Sequence, residues 1–265
     1  MTAPCPFAVE PRVRPRLGLI ALRVDETIES DLARMVPPEA AQMHVSRVQS
    51  GDDLTPQSIA AMEDRLAGAA ALLPPVAYAA VGYGCTSGAA QIGPDRVAQA
   101  VRAGVRCAAV TDPMTAAIAA CHAAGIARVA VLSPYTHTVG APVADAFARA
   151  GIVVAATHSF GEAEEARVAR IAPGSIAAAA RSLARGARAD ALFLSCTNLR
   201  ASAVQNALAS ELGLPVLSSN GVLAWHMARL AGLPAAAVPL PGLPGLPGAA
   251  VPADVSASRP AGAGP

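Results

Sequence analysis

Two cysteines stand in matched settings. Cys85 lies in Gly84-Cys85-Thr86-Ser87, directly after the run Val81-Gly82-Tyr83, and Cys196 lies in Ser195-Cys196-Thr197-Asn198, directly after Leu192-Phe193-Leu194. In each case a short β-type run gives way to a turn rich in hydroxyls, the pattern of a strand handing over to a helix. A helix N-terminus offers unpaired amides and a partial positive charge, which lower a thiol's pKa and cradle a carboxylate. Thr86, Ser87, Thr197 and Asn198 add hydrogen-bond donors beside the two sulfurs. The chemistry this implies is thiol addition or proton transfer on a small acid held between two cysteines, with no metal and no cofactor. A cysteine at a strand end is also a common small packing residue, and Cys107 and Cys121, which lack the Cys-Thr context, are read that way. A redox pair is the other use of two thiols, and nothing else in the sequence points to it.

The elements that position these residues follow from periodicity. From Arg16 onward short apolar runs alternate with longer Ala-rich segments of helical spacing, the signature of βα units feeding a parallel sheet. Strands are expected at residues 17–22, 43–48, 76–83, 105–110, 127–132, 152–156, 191–195 and 215–217. In an open α/β sheet ligands gather beyond the carboxyl ends of the strands, and both cysteines fall there. The repeated strand-Cys-Thr pattern predicts an α/β fold of two pseudo-symmetric halves. We place an N-terminal extension at residues 1–15, a first half at 16–115 completed by 216–232, and a second half at 116–215. Residues 233–265, dominated by Pro, Gly and Ala, read as a disordered tail.

Bulk properties narrow the partners. The 265 residues carry a formal charge of +1 and only 3% aromatics, which argues against a nucleic-acid groove built on basic stripes and stacking rings. The apolar runs are broken by Pro, Gly, Arg or Asp before reaching membrane-spanning length. Pro4, Pro6, Pro11 and Pro15, with arginines late in the stretch, do not resemble a secretion signal, so a cytoplasmic protein is expected. Five cysteines without a Cys-x-x-Cys pair suit free thiols rather than structural zinc or disulfides. The histidines show no ligand spacing; His137 is the one nearest a site residue in sequence, and His226 beside Trp225 reads as packing.

Gly84-Cys85-Thr86-Ser87, Ser133-Pro134-Tyr135 and Ser195-Cys196-Thr197-Asn198 resemble the aspartate/glutamate racemase superfamily, more closely its maleate cis-trans isomerase and arylmalonate decarboxylase branch. Pro215-Val216-Leu217-Ser218-Ser219-Asn220 and Ala224-Trp225-His226 extend the resemblance to about residues 16–232. It implies two α/β halves with the site at their interface, no cofactor, and a homodimer or higher homo-oligomer. It also implies a small carboxylate substrate, with Cys85 as an attacking thiolate and Cys196 handling the proton, or both acting as acid and base in a racemase. The decarboxylases of the branch keep only the later cysteine. Tyr135 matches a position whose phenol binds a substrate carboxylate. Asp25 stands where the maleate isomerases carry a carboxylate-binding Asn; it either holds an ammonium group or assists a thiol, or merely caps the helix that follows. A second family Asn is not evident in residues 158–162. The runs at residues 22–29 and 193–200 also resemble ectoine-utilisation members of the superfamily, whose substrates would be nitrogen-bearing carboxylates. A binding protein that keeps the fold without turnover is the contrasting class.

Overall fold

The computed structural model describes residues 5–9, 14–51, 53, 55–243 and 246. Two four-stranded parallel sheets are flanked by helices. The first contains β1 (Arg16–Leu22), β2 (Gln42–Val48), β3 (Tyr78–Gly84) and β4 (Cys107–Thr111) in the order β2-β1-β3-β4. The second contains β5 (Arg128–Tyr135), β6 (Val153–Glu162), β7 (Ala191–Leu194) and β8 (Val216–Ser218) in the order β6-β5-β7-β8. All eight expected strands are present, and the same order recurs in both halves. The inner strands β1, β3, β5 and β7 are buried almost throughout, as continuous apolar runs require when helices cover both faces.

That order places the site. The chain leaves β1 for β2 on one side and returns to β3 on the other, so loops diverge between the carboxyl ends of β1 and β3 and open a crevice there. The same happens between β5 and β7. Helix Ser219–Leu230 then joins the halves: it follows β8 but packs on β3 and on helices Pro113–Ala124 and Ile28–Met35. Residues 216–218, grouped above with the first half, belong instead to the second sheet, where Val216 to Ser218 pair with Leu192 to Leu194. Only the helix after them returns.

One glycine serves close packing rather than a turn. Gly104 is the last residue of helix Pro94–Gly104, and a Cβ there would lie 2.1 Å from the Ala67 carbonyl oxygen. It is needed for the close approach of two helices.

The tail expected to be disordered is docked over its first part. Val238 and Leu240 are buried, Gln205 Nε2 donates to Pro241 O at 2.6 Å, and Gly242 N donates to Asn206 Oδ1 at 3.0 Å. A Pro-rich segment needs no regular ladder to bury apolar side chains when side chains elsewhere pair with its backbone. Residues 244, 245 and 247–265 lie outside the described residues, and so does much of the extension, of which residues 5–9 are exposed. Among the described residues no helix is long and apolar enough to cross a membrane.

Leu240→Ala is therefore expected to destabilise the protein by roughly 2–4 kcal/mol, the usual cost of truncating a buried leucine, and deletion from Ala235 onward by at least as much. Urea unfolding checks both; an unchanged midpoint would show that the segment does not hold the fold.

Candidate active site

Cys85 caps helix Thr86–Ile92, its Sγ accepting the Gly88 amide at 3.2 Å and lying 3.7 Å from Ser87 Oγ. This requires glycine at position 88, since a Cβ there would stand 2.4 Å from Tyr83 Oη and 2.9 Å from Cys85 Sγ. Tyr83 is wholly buried beneath the thiol, its hydroxyl directed at Met62 Sδ 3.7 Å away. The helix N-terminus was expected to lower the thiol's pKa. Burial instead pushes Cys85 up to about 11, with the Gly88 amide and Ser87 hydroxyl opposing and the Glu165 charge adding to the rise. Desolvation outweighs one short helix end.

Cys196 follows β7 but starts no helix. Residues 195–200 form an irregular turn, and the next α-helix is Gln205–Leu212. Cys196 has φ +122°, the sole positive value outside glycine among the described residues, a conformation that costs on the order of 1–3 kcal/mol and persists only where its surroundings enforce it. The enforcing contacts are visible. Ser195 N donates to Leu132 O at 2.8 Å, and Cys196 N donates to Ser219 Oγ at 3.0 Å. Ser219 Oγ also accepts from Thr86 Oγ1 at 2.8 Å, so one hydroxyl ties the two cysteine turns together. Burial drives the Cys196 thiol far above its ordinary range, with Glu165 and Asp25 adding to it and the Tyr135 phenol and Asn198 amide opposing. Tyr135, buried at the end of β5, feels the charge of both sulfurs. Of the two, Cys196 acts on it more strongly and also through a side-chain hydrogen bond.

Thr197 and Asn198, expected beside a substrate, are occupied as ties between the halves. Thr197 Oγ1 donates to Gly84 O at 3.2 Å. Asn198 Oδ1 accepts from Glu26 N at 2.9 Å, and its Nδ2 donates to Glu165 O at 3.2 Å and to Glu165 Oε2 at 3.1 Å. Asp25 serves as the cap through one oxygen: Oδ1 accepts from Thr27 N and Ile28 N, each at 2.8 Å. Oδ2 is buried and accepts no hydrogen bond, although the Thr197 hydroxyl, which donates to Gly84, is near enough to act on the carboxyl. Burial raises the Asp25 carboxyl, with those two amides opposing.

Three residues that the sequence reading did not assign complete the site: Tyr83, Ser219 and Glu165. Glu165 is buried, and burial pushes its carboxyl up to about 7, Asn198 opposing and the Asp25 charge adding. It was missed because β6 runs to Glu162 rather than ending near residue 156; polar residues on this edge strand read as loop. Leu22, Ser50, Met62, Cys85, Ser87 and Glu165 are among the residues lining a cavity of ≈ 10 Å³, room for about one water. An antiparallel bridge between Asp53 and Glu164 connects the two halves beside it. His137 is exposed, away from this cavity. His226 packs as expected: it is bonded through Nδ1 to Thr111 Oγ1 at 2.8 Å, and burial lowers its pKa to about 4. Among the described residues no three His, Cys, Asp or Glu side chains are placed to hold a metal.

The two thiols stand at the carboxyl ends of equivalent strands, β3 and β7, of the two halves, and the turns that carry them are tied through Ser219. Known structures share this framework. The maleate cis-trans isomerase of Nocardia farcinica, as a cysteine-to-serine mutant with a covalently bound succinylcysteine intermediate, superposes with a TM-score of 0.77 at 24% identity, covering 87% of this chain and 97% of that one. A variant of the maleate isomerase of Pseudomonas putida with maleate gives 0.74 at 21% identity, covering 87% and 96%. A double mutant of arylmalonate decarboxylase in the liganded form gives 0.70 at 23%, covering 82% and 93%. At these identities the likeness establishes the fold. No curated protein matches the sequence. The family model described as arylmalonate decarboxylase matches residues 31–240, most of both halves, and the chain therefore belongs to the arylmalonate decarboxylase family.

Proposed function

We propose that the protein is a cofactor-independent two-cysteine isomerase of a small carboxylic acid, working in the manner of a maleate cis-trans isomerase. The observation that carries this is the placement of Cys85 and Cys196 at matching strand ends, their turns tied through the Ser219 hydroxyl. The relative trapped with a succinylcysteine intermediate supports a thioether route. In that route the Cys85 thiolate forms a C–S bond to one olefinic carbon, and the π pair moves to the neighbouring carbon, which takes a proton from Cys196. The former double bond rotates. The Cys196 thiolate then recovers the proton, the C–S bond breaks, and the trans acid leaves with Cys85 again a thiolate. Tyr135 and Ser87 orient the substrate carboxylate in this reading, while Thr86, Thr197 and Asn198 position the turns.

The buried acids Asp25 and Glu165 favour a second reading, a two-base racemase or another enzyme of nitrogen-bearing carboxylates such as those of ectoine breakdown, in which the cysteines exchange an alpha proton on opposite faces.

Cys85→Ser should abolish both adduct and turnover, whereas Cys196→Ser should let an adduct accumulate on Cys85, seen by mass spectrometry of the intact protein with maleate or a slower unsaturated acid. Equal failure of both variants, with no adduct and with alpha-proton exchange by the wild type in heavy water, would replace the isomerase by the racemase. Gly88→Ala, which drives a methyl group against Cys85 Sγ and Tyr83 Oη, should reduce kcat by roughly 10²-fold, as small misplacements of a reacting group do. Because the free Cys85 thiol titrates at about 11, kcat/KM should climb steadily from neutral pH without levelling before the alkaline range. Glu165→Gln, by removing a negative charge that holds both thiols protonated, should move that rise to lower pH; a plateau near neutrality in the wild type would sink the assignment.

A further inference from the structure

A second cavity lies between the sheet of the second half and helix His137–Arg149. Its volume is ≈ 290 Å³, near the lower end of the roughly 300–1,000 Å³ usual for small-molecule pockets, and among the described residues it shares no lining residue with the cavity beside Cys85. Its floor is β5, where Val131, Ser133 and Tyr135 alternate onto one face. Ser133 is 8% exposed, and its hydroxyl has no hydrogen-bond partner among the described residues. A buried hydroxyl left unpaired is costly, and one that faces a cavity can be satisfied by what fills it. Gly140 keeps the space open: beyond its own helix, a Cβ there would meet only Ser133 Oγ, 3.9 Å away.

The surroundings select a charge. Thr136 precedes the helix without capping it through its side chain, so the first-turn amides keep the partial positive charge of a helix end. His137 and His158 stand at the exposed rim, each with a ring N–H to donate. The acid in the lining, Asp145, lies about two helical turns beyond His137. Ala141, Val143 and Ala144 make the wall between them apolar.

We propose that this cavity is a second ligand site and takes a small monocarboxylate with an apolar body. The carboxylate lies at the helix end, where Ser133 Oγ and the two imidazoles donate to it, and the body covers Val131 and Val143. Asp145 repels a second negative charge at the far end. Tyr135, which bonds to Cys196, forms part of the cavity wall, so the site adjoins the candidate active site without belonging to it.

The test is NMR titration of the full chain near neutral pH with benzoate, using benzamide and succinate as its neutral and doubly charged counterparts. Benzoate should shift the ring-proton signals of His137 and His158, identified by their loss in His137→Gln and His158→Gln, and leave those of His44, His122 and His226 in place. Benzamide and succinate should act on the two signals roughly tenfold or more weakly, since a hydrogen bond to a charged group is worth about that factor or more. Ser133→Ala should weaken benzoate by a similar factor. Gly140→Leu should abolish its binding while the melting temperature holds or rises, because leucine is the better helix former. Replacing both Cys85 and Cys196 by serine should leave the benzoate affinity unchanged. Benzoate that moves neither imidazole, binds no better than benzamide, still binds folded Gly140→Leu, or is lost with the two cysteines would overturn the proposal, the last outcome placing the carboxylate at the cysteine site instead.

Discussion

Ser219 Oγ accepts hydrogen bonds from Thr86 Oγ1 at 2.8 Å and from Cys196 N at 3.0 Å, so a single buried hydroxyl fixes the turn after β3 and the turn after β7. A buried amide left unpaired costs about 1–3 kcal/mol. That is the same size as the strain of on the order of 1–3 kcal/mol carried by the positive φ of Cys196, so this hydrogen bond is sufficient to hold the sulfur in its unusual direction. The hydroxyl is itself placed by topology. Ser219 begins the helix that crosses from β8 to the first sheet, and Ser218 before it donates to Gln205 Oε1 at 2.6 Å. Gln205 Nε2 then reaches Val216 O and Pro241 O, which connects the site to the docked part of the C-terminal segment.

Burial gives the site its precision and removes its reactivity at rest. The N-terminus of a helix contributes about 0.3–1 kcal/mol to a nearby anion, up to roughly 2 kcal/mol in favourable buried settings. Against this, the rise of Cys85 from an ordinary value near 9 to about 11 amounts to roughly 3 kcal/mol against the thiolate. The free protein therefore keeps its thiols protonated at neutral pH. In the proposed two-cysteine mechanism, attack on a substrate requires that binding itself change the local charge.

Eight strands and the positions of both cysteines were legible in the sequence because inner parallel strands are apolar on both faces and stop at conspicuous turns. Tyr135 was legible through its strand-end motif. The edge strand β6 was not read to its end, since Thr157, His158 and Ser159 face solvent and carry no apolar pattern, and with it Glu165 was lost. Residues 233–243 were misread as disordered because Pro and Leu without periodicity resemble a linker; Val238 and Leu240 are buried by contacts remote in sequence. Thr197 and Asn198 were expected to bind a substrate, and their side chains instead join the two halves; no local pattern tells a ligand-binding amide from one that joins two halves of a fold.

The pseudo-symmetry also explains why the two thiols differ. Equivalent strand order brings the third strand of each half to the centre, yet the turns that follow are not equivalent: Cys85 has φ −149° and caps a helix, whereas Cys196 has φ +122° and caps none. The loop after the first strand of one half carries an acid, Asp25, and the end of the first strand of the other carries a phenol, Tyr135. Cys85 accordingly receives an amide from Gly88, while Cys196 faces Tyr135 and feels both Asp25 and Glu165. Glu165 raises both thiols, and Asp25 adds to the rise at Cys196. A fold that presents two chemically similar residues symmetrically thus gives them unlike surroundings through differences in the turns alone, the asymmetry that the proposed division into nucleophile and proton donor needs.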